Sequence, residues 1–335
     1  MKATRILAVC AASALFAGIA SSAVRAQEFN WKLYTFFGNN DLPAKPAKGF
    51  AEDVTKASGG RLKITVFTAG ELPYKFNEVL RAVATNQVQI GELGMGLNAG
   101  ELPGLNPFDL PFICTSIPQW QKAVVSAGPV MEGIIQQKFG LTSLAHWAMP
   151  PQQIWLNRPL AKLDDLKGRK IRNWNRLQVD MLALFGASAT TVTSAEVTTA
   201  LDRRVVDGAI TATVPALDWK FNEVAKYGYM LNFQIPHQIL AVNTEEFKKL
   251  PKDLQDLLIA KGKEWEPKYL QIIIEEGAGG AEKKLAEKGQ IFVQPTPEDM
   301  ARAKAATRPM WENWAKENGP VAQQVYEIVN KACNG

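Results

Sequence analysis

The stretch from Asp164 to Trp219, DDLKGRKIRNWNRLQVDMLALFGASATTVTSAEVTTALDRRVVDGAITATVPALDW, constrains the fold more than any other part of the chain. Arg169-Lys170-Ile171-Arg172 reads as a short strand. Leu177, Met181, Leu184 and Phe185 then fall at i, i+4, i+7 and i+8, one apolar face of a helix. Gly186 stands where a helix end favours a residue tolerant of positive φ. Ala187 to Val192 reads as a second strand, and Thr193-Ser194-Ala195-Glu196 has the spacing of a capping box. Asp207-Gly208 turns the chain into a third strand at Ala209. This βαβαβ order implies parallel strands joined by right-handed crossovers. Arg172 ends its strand at the carboxyl edge, where open α/β sheets bind ligands. A guanidinium there offers a planar fork that fits a carboxylate, or else it is a solvated arginine at a strand end.

The first third repeats the alternation. Trp31 to Phe37, Leu62 to Phe67 and Val88 to Leu93 read as strands. Between them lie helical patterns at 46–58, with Ala47, Phe50, Ala51 and Val54 inward, and at roughly 74–85. Two such units, separated near residue 150, predict two α/β lobes. The Pro-interrupted run 101–113 reads as an irregular segment under the first lobe. The chain crosses between lobes at Met149-Pro150-Pro151 and returns near Ile235-Pro236-His237. After Pro251 a helical pattern runs to about Lys288, interrupted by Pro267 and by Gly277-Ala278-Gly279-Gly280. Thr296-Pro297-Glu298-Asp299 signals another helix start, and Val321 to Ala332 a final amphipathic helix.

The opening 26 residues have a basic start, an apolar middle and Val24-Arg25-Ala26 as a small-residue cleavage site. They read as a secretory signal peptide, with lipidation at Cys10 disfavoured by the short apolar run before it. Cleavage after Ala26 leaves 335 − 26 = 309 residues, enough for two cores. It also removes Lys2, Arg5 and Arg25, so the formal charge falls from +5 to +2. No run of interleaved basic and aromatic residues points to nucleic acid. Cys114 and Cys333 remain, either as a disulfide permitted by an oxidising compartment or as two buried thiols.

Catalytic and metal motifs are not evident. His146 and His237 lack the paired spacing of a metal site. Asp164-Asp165 reads as a loop start rather than a carboxylate pair. The run GELGMG (91–96) has the wrong glycine order for a dinucleotide loop, and reads as a tight path facing a cleft.

Several of these runs resemble the periplasmic solute-binding subunit of TRAP transporters, the DctP-like family. They are LKGRKIR (166–172), SAEVTTAL (194–201), VVDG (205–208) and KFNEVAKY (220–227), with GRLKITVFTAGEL (60–72), FDLPF (108–112) and VNTEEFKKLP (242–251) outside the opening stretch. The resemblance implies a two-lobed α/β periplasmic binding protein fold. Each lobe is a mixed sheet flanked by helices, the ligand cleft lies between lobes, and a long helix of the C-terminal half crosses both. Lobe I is then 27–149 plus 238–277, and lobe II 150–237 plus 278–335. It implies a periplasmic, monomeric protein without cofactor that hands an organic acid to integral membrane subunits. A periplasmic sensor module and a secreted α/β enzyme acting on such an acid are the competing classes.

The resemblance also implies that Arg172 clamps the ligand carboxylate. This chain departs from the family pattern around it. Asn173-Trp174 replaces a small residue and proline, Thr211 stands where an asparagine is common, Gln152 occupies the strand that can carry a second arginine, and Phe36 and Phe37 lie on the first strand. These changes remove polar capacity and add aromatic surface, so an apolar or aromatic monocarboxylate is expected, with a 2-oxo or 2-hydroxy group accommodated by Thr211 and Gln152. Trp174 is equally consistent with a core residue over the following helix. Met95 and His237 complete the candidate ligand set, as holders of a more polar acid.

Overall fold

The computed structural model describes residues 28–335; the signal peptide, its cleavage site and Cys10 lie outside the described residues. The first sheet has the order β2-β1-β3-β10-β4, where β1 is Phe29–Tyr34, β2 Leu62–Phe67, β3 Ile90–Gly94, β4 Leu141–Ala148 and β10 His237–Asn243. Strands β1, β2 and β3 are parallel, and β10 runs antiparallel between β3 and β4. The second sheet has the order β11-β9-β5-β8-β6-β7. Here β5 is Gln153–Leu156, β6 Lys170–Asn173, β7 Ser188–Thr191, β8 Gly208–Thr211, β9 Tyr227–Tyr229 and β11 Ile291–Val293. Strands β6, β7 and β8 are parallel, as the crossovers of the opening stretch require, and β5 lies antiparallel to both β8 and β9. The fold is therefore two mixed sheets flanked by helices, one in each lobe.

Local chemistry explains where elements begin. Asn175 Oδ1 accepts the Gln178 backbone N–H at 2.9 Å and starts helix Arg176–Leu184. Thr296 Oγ1 accepts the Asp299 N–H at 3.0 Å and starts Pro297–Thr307. The expected capping box at 193–196 forms differently: the Thr193 hydroxyl donates to the Glu196 carboxylate at 2.7 Å, and the helix begins only at Val197. The helix expected over 74–85 is shorter, Val79–Ala84, because Lys75 N–H turns onto the Glu78 carboxylate. Strand β1 ends at Tyr34, three residues before the predicted end, which places Phe36 and Phe37 beyond its carboxyl edge.

The chain passes between sheets at 149–152 and at 230–236, then a third time in one continuous helical run. That run is Lys252–Leu270, a π-helical segment Gln271–Ala278, and Gly279–Glu287. Its first part packs on β4 and on helix Ala44–Ala57, and its last part on helix Thr213–Asp218 of the second sheet's layer. The glycine run does not interrupt the helix; the ladder instead widens to π geometry across the seam. The final helix, Gly319–Asn334, packs against Ile117–Phe139 and is tied by a Cys114–Cys333 disulfide to the segment just before that helix, although the sequence division groups it with lobe II. Among the described residues, no helix is long and apolar enough to cross a membrane.

Candidate functional site

A pocket of about 80 Å³ lies between the two sheets. The first lobe supplies Phe36, Phe37, Phe76, Leu97 and Gln238. The second supplies Gln152, Arg172, Trp174, Ser194, Thr211 and Trp219, with Met149, Pro215 and Pro236 closing the rim.

Arg172 is the only charged side chain in this wall. It sits on β6 between Thr190 of β7 and Ala209 of β8, at the carboxyl edge of the parallel strands. Only 3% of it is exposed. Its Nε donates to the Val192 carbonyl at 2.8 Å and its Nη1 to the Ile210 carbonyl at 2.9 Å. These two bonds fix the plane of the guanidinium and leave donors on its distal edge. The indole of Trp219 faces the same group, with Cζ 6.0 Å from the ring centroid. Among the described residues, no carboxylate forms an ion pair with Arg172. Burial lowers its pKa to about 9, so it keeps its charge at neutral pH. A buried cation without a counter-ion is costly, and an anion entering the pocket relieves that cost.

The remaining polar groups are neutral. Thr211 ends β8, and its carbonyl accepts the Trp155 indole N–H at 2.9 Å, leaving its hydroxyl to the pocket. Gln152 holds its place by donating from Nε2 to the Pro150 carbonyl at 3.1 Å and from its backbone N–H to the Gln234 carbonyl at 2.8 Å. Phe36 and Phe37 lie against each other with centroids 4.4 Å apart and rings tilted by 34°, and Phe37 leans on Trp147 at 6.2 Å. Trp174 closes the cleft from the other lobe, its backbone N–H donating to Gln178 Oε1 at 3.1 Å. It meets the 95–98 turn at Gly96. A Cβ there would lie 1.8 Å from Asp109 Oδ2 and 2.9 Å from Trp174 Cζ3, so the lobes can approach this closely only over a glycine.

Polar bonds also link the lobes around the pocket. The Leu42 N–H donates to the Asp218 carboxylate at 3.1 Å. Burial raises the pKa of that carboxyl to about 6. On the other side Gln178 donates to Gln234 at 2.8 Å, and Gln234 donates to the buried Asp109 at 2.6 Å.

Of the predicted site residues, the structure brings together Phe36, Phe37, Gln152, Arg172, Trp174 and Thr211. Met95 and His237 stand apart. Met95 is 1% exposed and packs into the core, because the 3₁₀ turn Met95–Asn98 sends Leu97 to the pocket instead. His237 points to the opposite face of β10, where its Nε2 lies 2.9 Å from His146 Nδ1 and its ring meets Phe108 and Trp120. Burial keeps it neutral. Strand alternation gives the cleft face to its neighbour Gln238. Sequence reasoning missed Gln238 and Trp219. A glutamine within the apolar strand HQILAVN was the available signal for the first; Trp219 carried none, since its helix starts after an irregular step at Ala212. Asp164 and Asp165 serve the loop, bonding Arg302 and the 161–162 backbone. Among the described residues, no group of three or more His, Cys, Asp or Glu side chains is placed to hold a metal ion.

The family model described as bacterial extracellular solute-binding protein, family 7 (DctP), matches residues 11–318. The C4-dicarboxylate-binding periplasmic protein DctP of Rhodobacter capsulatus is 28% identical over 292 residues, covering 83% of this chain and 84% of its own. Among solved structures, the extracytoplasmic solute receptor DctP6 of Bordetella pertussis, which binds pyroglutamic acid, superposes with a TM-score of 0.84 at 29% identity. The match covers 90% of this chain and 99% of that one. DctP7 of the same organism, also a receptor binding pyroglutamic acid, gives a TM-score of 0.83 at 26% identity over the same shares.

Proposed function

The chain belongs to family 7 of the bacterial extracellular solute-binding proteins, the DctP family, and from that membership we propose that it captures a small, largely apolar monocarboxylate. Proteins of this family bind organic acids and work with the membrane subunits of TRAP transporters. The observation that carries the finer reading is the single buried guanidinium of Arg172 in a wall otherwise built of aromatic, apolar and neutral polar groups. One fork matches one carboxylate; a dicarboxylate would need a second cation, and the wall has none. A sugar acid would bring several hydroxyls to a wall with few free partners, at about 1–3 kcal/mol for each one left unpaired. The pocket's volume, well below the roughly 300–1,000 Å³ of drug-sized sites, favours a compact acid such as a branched or five-membered-ring one. That the receptors DctP6 and DctP7 bind pyroglutamic acid supports the same size and charge class.

The same reading takes the protein to be periplasmic after loss of residues 1–26, monomeric, and hinged where the chain passes between sheets. The lobe division at 149/150 and 237/238 follows it. Ligand enters an open cleft, its carboxylate meets Arg172 on one lobe, and Phe36, Phe37 and Gln238 cover it from the other. Closure is then driven by contacts available only when both walls are present.

A thermal-shift screen followed by calorimetry tests this. Branched, cyclic and phenyl-substituted monocarboxylates, including 2-oxo and 2-hydroxy acids, are compared with succinate, malate and hexuronates. Stabilisation by members of the first group is expected; stabilisation by the polar group alone contradicts the proposal and returns the aromatics to a core role.

A further inference from the structure

Between the pocket wall and the second crossing of the chain, three buried side chains form one hydrogen-bonded line. The Trp174 backbone N–H donates to Gln178 Oε1 at 3.1 Å, Gln178 Nε2 donates to Gln234 Oε1 at 2.8 Å, and Gln234 Nε2 donates to Asp109 Oδ1 at 2.6 Å. Gln178 and Gln234 are each 1% exposed, and Asp109 is 2% exposed. Each amide accepts with its oxygen and donates with its nitrogen, so neither can turn over without breaking two bonds. The line also returns to its start. Trp174 lays its indole on Gly96, where an added Cβ would lie 2.9 Å from Trp174 Cζ3 and 1.8 Å from Asp109 Oδ2. The backbone and the ring of Trp174 are thus held toward the same carboxyl, one through two glutamines and the other across Gly96. Gln234 is a fixed point for this line. Its carbonyl accepts the Gln152 N–H at 2.8 Å, and the Met149 N–H reaches the Pro236 carbonyl at 3.0 Å, so the two crossings are laced together there.

A buried amide pair that only filled space could be replaced by apolar residues of the same shape at little cost. Apolar residues could not fix the place of Trp174 relative to Asp109 by directed bonds. On the proposed function above, we infer that Gln234 is a positioning residue for ligand capture. Acting through Gln178, it ties Asp109 of one lobe to the Trp174 backbone of the other and keeps the indole over the bound acid while the cleft is closed. Opening the cleft carries Trp174 off Gly96 and pulls the line apart at Gln234. The line therefore adds to the closed state alone, and it slows release rather than speeding entry.

Amide hydrogen exchange, followed by NMR on the full mature chain, tests the link without ligand. In Gln234→Met the Trp174 N–H should exchange about fivefold faster, because Gln178 loses the partner that aims its Oε1. The Gln178 N–H, held at the same helix start by Asn175 Oδ1 at 2.9 Å, should change less than about twofold. Gln234→Glu supplies the rescue. At about pH 6 the introduced acid shares a proton with Asp109, whose pKa burial raises to about 7, so both links persist and the native rate should return. Equal acceleration of the two amides, or none, overturns the link, since a glutamine that only filled space would loosen the whole turn or nothing. Stopped-flow tryptophan fluorescence with cyclopentanecarboxylate reads capture itself. Gln234→Met should release this acid about fivefold faster, with association changed less than about twofold. Gln178→Met/Gln234→Met, which removes the amide pair together and keeps the fold, should show the same split. Unchanged release in both variants overturns the role in capture. If cyclopentanecarboxylate does not bind the native protein, the ligand class falls, and the exchange measurement alone decides whether Gln234 positions Trp174.

Discussion

Replacing Glu92 by glutamine should make the protein markedly less sensitive to alkaline pH. Glu92 is in the centre of β3, wholly buried, and its two carboxyl oxygens have no well-formed hydrogen bond. Desolvation raises its pKa from the ordinary 4.5 to about 7, and the nearby hydroxyls of Thr35 and Tyr269 offset only part of that rise. The folded pKa lies above the unfolded one, so the protonated carboxyl favours the fold. This stability is fully present below about 4.5 and is lost as pH rises through 7. At about 1.4 kcal/mol per unit, the difference between 7 and 4.5 amounts to roughly 3 kcal/mol once the group is ionised, most of it accrued between pH 5 and 8. Urea unfolding at pH 5, 6.5 and 8 measures it. Glu92→Gln should gain roughly 2–3 kcal/mol on the native protein between the ends of that range. The comparison isolates Glu92, because His237 and Asp109 titrate alike in both proteins. Parallel stability curves for the two proteins would refute the reasoning.

Two further outcomes follow from the geometry. Asp218→Ala removes the acceptor that Leu42 N–H reaches across the seam and should weaken ligand binding about two- to tenfold by calorimetry, whereas Asp218→Asn, which keeps an acceptor oxygen, should retain most of the affinity. Cys333→Ser opens the Cys114–Cys333 link across 219 residues and should cost up to about 5.4 kcal/mol in the chain-entropy account; equal melting temperatures of native and variant proteins without reductant would contradict that.

The parallel unit from Lys170 to Thr211 was legible because its period-3.6 helix face, its turn glycines and its strand lengths agree with one another, and that unit alone placed Arg172 at the carboxyl edge. The helical run at 252–287 was legible in extent. Its geometry was not, because a glycine that ends a helix and a glycine within a π-helical stretch look the same in a single sequence. His237 was misplaced because a strand's facing depends on register: a shift of one residue exchanges His237 for Gln238. Met95 failed for a related reason, since the chain leaves β3 at Gly94 and a 3₁₀ turn resets which side chain faces the cleft. The C-terminal helix could not be assigned to its neighbour from periodicity, because amphipathicity reveals that a face is buried without revealing against what. Its disulfide to Cys114 is the feature that fixes the partner.

On the proposed function, Arg172 is the buried cation that receives the ligand's one carboxylate. Its Nε and Nη1 bonds to Val192 and Ile210 keep the group in place without neutralising it. The direct measurement is calorimetry of the native protein, Arg172→Lys and Arg172→Ala with the acid that best stabilises the native protein. Arg172→Lys keeps the charge but loses the planar fork and should bind at least about tenfold more weakly. Arg172→Ala should show no measurable binding while unfolding cooperatively and with unreduced stability, since it also removes a buried unpaired charge. Unchanged affinity in Arg172→Ala would contradict the account.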